Sequence, residues 1–354
     1  MNKLKIGLYN ILSMSLGKRT LKSLSKSVYV KNLKRNRDKL SNKNNSKTKQ
    51  KKFLISITID TESGYTKKNN ERVWQKDNPE AYIGYCKGIE NWRTLLNKYS
   101  AKATFFLSTN CFGAENQELN KINNQLKSLL KEKHEIGLHM HPDSDLALQM
   151  LLKERFQYTS SKFYNYNQIN QFIKTSKKLI KDNLNINPTS FRWGNWALNT
   201  DAVKALQENG FNADSSATPG IKGHLKDGMH YDWSKVKEHY TWKLSLNNYQ
   251  ATSHQNSKVL EIPIATFNFM GKILRADPVY SELLKAAFDY YYKNADRTRK
   301  PFVFAVISHS IEATHEDGSI TQVIKDTEEF IKHAKQFGDV EFVTINEAYN
   351  RINK

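Results

Sequence analysis

From Phe53 onward the chain alternates two hydrophobic patterns. FLISITID (53–60) is a short β-branched apolar run that ends in an acid, as expected of a buried strand. GIENWRTLLNKYS (88–100) has helical period, KATFFLST (102–109) reads as a strand, ELNKINNQLKSLLKEK (118–133) as a helix and EIGLHMH (135–141) as a strand. The alternation continues with a helix over 167–183, a strand in TSFRWG (189–194), and a helix in TDAVKALQENG (200–210), capped by Thr200 and closed by Gly210. KVLEIPIATF (258–267) and FVFAVISH (302–309) read as strands, and SELLKAAFDYYYKNA (281–295) and QVIKDTEEFIKHAKQFG (322–338) as helices; VEFVTINEAYNRI closes the series. Strand and helix in strict succession, with strands apolar on both faces, predict a parallel sheet, and at this length a (β/α) barrel is favoured over an open sheet. No internal repeat is visible.

The first 52 residues follow another rule. They hold 16 Lys and Arg against one acid, Asp38, a formal +15 of the chain's +20. The remaining 302 residues carry 39 bases and 34 acids and have ordinary globular composition. The chain therefore divides into a basic arm, 1–52, and a near-neutral body, 53–354. In the arm, Leu4, Leu8, Ile11 and Leu12 mark one face of a short helix, and residues 38–52 read as a disordered connector. Asn10, Ser13 and Ser15 interrupt the apolar stretch and Lys18-Arg19 follow it, which argues against a cleaved signal peptide. Over residues 1–35 the pattern suits an anionic membrane surface, in balance with a helix packed on the body. With Tyr9 and Tyr29 as its only aromatics the arm lacks a stacking platform, so nucleic acid is not the expected partner. No apolar run reaches the about 18 residues of a membrane span. Two cysteines, Cys86 and Cys111, form no disulfide framework, and a cytoplasmic setting is expected, on or near the inner face of the membrane.

The chemistry-bearing residues fall at predicted strand ends: Asp60, His139 with His141, Arg192 and His309. In (β/α) barrels, functional groups stand at the C-terminal ends of the strands. Asp60 and Glu62 are two residues apart, as are His139 and His141, so in extended backbone each pair points to one side. One carboxylate and two imidazoles make a three-ligand set for zinc or a similar divalent ion, and the spare carboxylate is then placed to act as a base.

These residues, in the order ITIDTES, KATFFLST, HEIGLHMHP, SFRWGNW, GFNADSS and VISHS, resemble the polysaccharide deacetylases, the NodB-homology group of carbohydrate esterases, over roughly residues 53–315. The resemblance implies a distorted barrel of about seven parallel strands. It also implies a hydrolase that removes N-acetyl or O-acetyl groups from sugars with one divalent metal ion, zinc ahead of cobalt, nickel or manganese. Asp60 takes the place of the catalytic base. Thr61 stands where the family has a second Asp, so the metal carboxylate falls to Glu62, with His139 as the first histidine. The family's second histidine lies at the position of Asp143, whereas the imidazole at hand is His141; either is a candidate third ligand. Arg192 matches the arginine that orients the base, His309 the acid that protonates the leaving group, and Asp214 the acid that tunes it. The family's proline and tyrosine after the arginine are replaced by Gly194 and Asn195, which leaves a backbone N–H near Asn195 as oxyanion donor and Trp196 as a sugar contact.

The expected substrate is an acetylated sugar or glycolipid, a precursor of a surface polysaccharide. Two further readings stay open: a hydrolase of another linear amide, and a non-catalytic carbohydrate- or membrane-binding protein on the same fold. A fixed arginine in the site would favour small charged amides, and aromatic platforms, such as FQYTSSKFYNYNQ (156–168) or HYDWSKVKEHYTW (230–242) offer, would favour sugars.

Overall fold

A computed structural model describes residues 51–353, apart from residues 64, 69–70, 75–81, 115, 225–229 and 254–255. The expectations for residues 1–50 lie outside the described residues. Nine strands form the main sheet: β1 (Phe53–Thr61), β2 (Ala103–Ser108), β3 (Glu135–Met140), β4 (Ser190–Trp193), β5 (Ala213–Asp214), β6 (Trp242–Lys243), β7 (Leu260–Glu261), β8 (Phe302–His309) and β9 (Val340–Phe342). Their order is β6-β7-β5-β4-β3-β2-β1-β8, with β9 beside the start of β1. Every pairing is parallel except that of the edge strand β6. The sheet curls until Ile264, just past β7, bridges Ala305 of β8, which makes it a distorted barrel.

Among the described residues, eight α-helices cover the outside or close an end: α1 (Ile89–Lys98), α2 (Asn116–Lys131), α3 (Leu146–Leu152), α4 (Tyr166–Leu184), α5 (Thr200–Glu208), α6 (Glu282–Asn294), α7 (Gln322–Ala334) and α8 (Ile345–Ile352). The starts of α3, α4, α5 and α8 are set by side chains that satisfy otherwise unpaired amides. Asp145 accepts from Leu148 N, and Asn165 and Thr344 each form a reciprocal capping pair with the Gln or Glu three residues on. The cap of α5 is Asn199, not Thr200: its carboxamide oxygen accepts from Ala202 N at 2.8 Å.

Strand β1 shows how the sequence builds both layers. Phe53, Ile55, Ile57 and Ile59 face the helices and are fully buried in the larger core, each contributing about 1.5–3 kcal/mol. The alternate positions face the barrel interior and become more polar along the strand, from Leu54 through Ser56 and Thr58 to Asp60. At the N-terminal end of the barrel the interior is a small apolar cluster including Leu54, Phe106, Val303 and Ala305, joined by Ile345 and Ala348 of α8. Polar groups occupy the other end.

KVLEIPIATF is not one strand. β7 holds only Leu260–Glu261, Pro263 follows without a ladder donor, and Thr266–Phe269 pairs instead with Lys272–Arg275 in a hairpin. Two further hairpins, Tyr65–Lys68 with Glu71–Trp74 and Lys222–His224 with His230–Asp232, also interrupt the strand–helix succession.

Close packing behind the end of β8 makes one position unforgiving. A Cβ on Gly88, just ahead of α1, would lie 2.3 Å from the Ser310 carbonyl oxygen, whereas Gly338 has nothing within 4 Å of such an atom. Gly88→Ala is expected to cost about 1–3 kcal/mol and to lower Tm by several degrees, while Gly338→Ala leaves Tm nearly unchanged; thermal denaturation of both variants checks this.

Candidate active site

The polar interior residues meet at the C-terminal ends of β1, β3, β4 and β8. Arg192 on β4 is fully buried, and its guanidinium has neighbours on three sides. Nη1 donates to Asp60 Oδ1 at 2.6 Å, Nη2 to Thr58 Oγ1 at 2.8 Å and Ser215 Oγ at 3.0 Å, and Nε to the Ser215 carbonyl at 2.8 Å. The guanidinium carbon lies 4.4 Å from the centre of the Phe106 ring. This is the geometry a desolvated arginine requires, with charge, fork and flat face all engaged. It leaves Asp60 Oδ2 directed at two imidazoles, 3.8 Å from His139 Nε2 and 4.0 Å from His309 Nε2.

Beside Asp60 stands a convergent group of donors. Single ligand atoms of Glu62, His139 and His141 all lie within 4.8 Å of one another. Glu62 Oε2 is 3.6 Å from His139 Nε2 and 3.0 Å from His141 Nε2. His139 Nδ1 is 3.0 Å from the Arg192 carbonyl, an acceptor that requires the proton on Nδ1 and so leaves the Nε2 lone pair facing the group. Thr61 is turned aside, its hydroxyl bonded to the Ile59 carbonyl. Asp143 stands behind His141, 3.8 Å from Nδ1, and accepts from Thr159 at 2.6 Å, so the imidazole and not this acid joins the group.

The electrostatics match a cation site. Burial raises the Glu62 carboxyl, but His141 and His139 outweigh it and hold Glu62 well below the usual carboxylate range. Burial works against the charged form of His141, yet Glu62 and Asp143 raise it to about 10. The charge that keeps a proton there in the metal-free protein is the charge that attracts a metal ion. A carboxylate oxygen and two imidazole nitrogens converging in a buried pocket fit a divalent metal.

His309 is 27 % exposed, and its acid partner is one that sequence reasoning missed. Glu312 folds back in a capping turn, where its Oε2 accepts from His309 N at 3.2 Å and Ser308 Oγ at 3.1 Å and lies 3.3 Å from His309 Nδ1. Burial disfavours the imidazolium, but Glu312, then Asp60 and Glu62, more than offset this and raise His309 to about 10. Asp214 is elsewhere engaged: it accepts from Ser216 N and Oγ and is paired in register with Glu261, a second fully buried acid. Burial raises both carboxyls, and Asp214 raises Glu261 further. The three-residue spacing from His309 to Glu312 at a strand end was the available signal. His134, outside the site, is buried, and its Nδ1 accepts from Ala103 N.

A tight turn follows Arg192. The Cα of Gly194 lies against the His141 ring, so that a Cβ there would be 2.5 Å from Cδ2, Cε1 and Nε2. Asn195 and Trp196 follow in left-handed backbone, with φ of 51° and 57°. Trp233 Nε1 donates to the Trp196 carbonyl at 2.9 Å and fixes the turn.

Comparison with known proteins bears on the fold and on part of the chain. Residues 84–213 match the family model described as polysaccharide deacetylase. That match covers 130 of the 354 residues, so the chain carries a segment similar to polysaccharide deacetylases, and it folds as the distorted barrel. Among solved structures, one from Mycobacterium smegmatis assigned as a polysaccharide deacetylase superposes with a TM-score of 0.56 at 13% identity, covering 87% of this chain and 92% of the other. Puue allantoinase gives 0.55 at 13%, covering 84% and 89%, and a protein from Pseudomonas aeruginosa PAO1, also assigned as a polysaccharide deacetylase, gives 0.54 at 13%, covering 84% and 90%. At that identity the likeness speaks to the fold. No curated protein matches the sequence.

Two outcomes are expected. Arg192→Ala leaves a buried carboxylate without its partner and should cost about 3–5 kcal/mol in denaturant unfolding. For Glu312→Gln, the imidazolium of His309 exists below its raised pKa, so losing the carboxylate lowers that pKa and moves the alkaline limb of the kcat profile to lower pH. A pH–rate series on the variant and the parent protein checks the direction.

Proposed function

We propose that the protein removes the acetyl group from an acetylated sugar, N-acetyl ahead of O-acetyl, on a precursor of a surface polysaccharide or glycolipid. The observation that carries this reading is Asp60 Oδ2, which lies between His139 Nε2 of the donor group and His309 Nε2, in a chain that matches the deacetylase family. Glu62, His139 and His141 would hold one divalent ion, zinc ahead of cobalt, nickel or manganese, which when bound polarises the acetyl carbonyl and acidifies water.

The chain's own groups divide the proton work. Asp60, with Oδ1 held by Arg192, has Oδ2 free to take a proton from the attacking water. His309 carries the proton for the departing nitrogen, which an amide requires because an amine anion is too basic to leave. Glu312 holds the imidazole by Nδ1 and directs Nε2 towards the reacting centre. A backbone N–H of the turn near Asn195 is the candidate donor to the oxyanion. On this reading the substrate is met inside the cell, and the basic arm serves attachment to the inner membrane face.

Asp60→Asn and His309→Ala should each lower acetate release from N-acetylated sugars by about 10²–10⁴-fold, and a chelator should abolish it until a divalent ion is restored. Parental rates in either variant would overturn the mechanism. Turnover confined to a small linear amide would favour the second hydrolase reading, and a stable metal-loaded protein without turnover on any acetylated sugar would favour the binding protein.

A further inference from the structure

Next to the site stands an arginine that the proposed reaction does not use. Arg275 ends the hairpin Thr266–Phe269/Lys272–Arg275, and the next residue, Ala276, accepts from Ile307 N at 2.9 Å, two positions before His309. Its guanidinium carbon lies 3.5 Å from the centre of the Trp196 ring, on the turn whose Gly194 abuts His141. Nη2 donates to Tyr231 Oη at 2.8 Å, and the Tyr231 ring meets Trp196 edge-on at 5.4 Å. The cation is thus fixed at the C-terminal rim of the barrel, between the strand of His309 and the turn beside His141.

Nothing among the described residues neutralises it. Among the described residues no carboxylate forms an ion pair with it, and the Tyr231 hydroxyl is the one hydrogen-bond acceptor it has. Two donors of this cluster, Arg275 Nε and Trp196 Nε1, are shielded from water and bonded to no acceptor. Those two are closed to any ligand, but Nη1 is neither shielded nor hydrogen-bonded among the described residues, so the unneutralised guanidinium keeps an open donor edge for an acceptor-rich group. An arginine stacked on an aromatic face keeps its planar fork for bidentate recognition of phosphate or carboxylate.

Resting on the deacetylase reading, we infer that the substrate is an acetylated sugar that carries an anionic group, phosphate or carboxylate, and that Arg275 on its Trp196–Tyr231 platform receives it. A fixed arginine alone would suit a small charged amide. Here cation and aromatic faces form one surface, which suits a sugar ring with an anion attached. Arg275 is a specificity residue and takes no part in the proton transfers.

The test is calorimetric titration of the protein with N-acetylglucosamine, its 1-phosphate and the matching N-acetylated uronic acid, with chelator present so that no metal holds the anion. One or both anionic sugars should bind at least about tenfold tighter than the neutral one, and which of them does so identifies the group. Arg275→Gln should bring that ratio close to one, and Arg275→Lys should keep part of it. Equal binding of neutral and anionic sugars by the parent protein, or an undiminished ratio in Arg275→Gln, overturns the inference; if the Gln variant does not fold, a Lys variant with the full ratio does the same. Acetate release with metal restored is read separately. Arginine-dependent binding without turnover on any of the three sugars would count against the deacetylase reading and leave the anion site standing.

Discussion

The buried ion pair between Arg192 and Asp60 is the interaction on which the site depends. A charge removed from water is tolerated only when its partner and every donor are satisfied, and the Arg192 guanidinium meets that condition by reaching Thr58 and Asp60 on β1, Phe106 on β2 and Ser215 just past β5. The same residue offers its carbonyl to His139 and so sets the tautomer of a candidate ligand. One residue, through side chain and backbone, therefore fixes strand positions, the aim of the base and the lone pair of an imidazole together. Stability and chemistry here share their parts, which is why the most polar region of the barrel interior can be among its most buried.

The gradient along the barrel interior explains where chemistry is permitted. α8 plugs the N-terminal end with Ile345 and Ala348, and the polar groups that sit there are spent on its start: Ile345 N donates to Thr104 Oγ1 at 2.8 Å and Asn346 N to Glu135 Oε2 at 2.9 Å. β1 carries its hydrophilic residues towards the other end, where loops rather than helices form the boundary. The shift from Leu54 to Asp60 within one strand shows this directly.

Much of this was legible in the sequence because it rests on local periodicity. The strands that carry Asp60, His139 and His309 at or near their ends are buried, largely apolar runs, and the covering helices have clear 3.6-residue stripes. Legibility failed where conformation is set by a few polar contacts. The 258–267 run looked continuous because its composition is that of a strand, yet Pro263 ends the ladder and the hairpin partner lies beyond it. The cap of α5 moved by one residue because Asn199 and Thr200 are both good caps, and the backbone decides between them. Glu312 escaped notice because its role comes from a turn that folds it back on His309, whereas Asp214, chosen by resemblance, is held by Ser216 and Glu261.

The turn at Gly194 ties together two departures from the family pattern that look independent along the chain. The imidazole of His141 occupies the volume that any side chain at position 194 would need, so a histidine at 141 and a proline at 194 exclude each other. Moving the second histidine forward by two residues and losing the proline are then a single exchange of volume across adjoining strands. The constraint runs one way: a side chain at 194 collides with this imidazole, whereas glycine there leaves room for a histidine at 141.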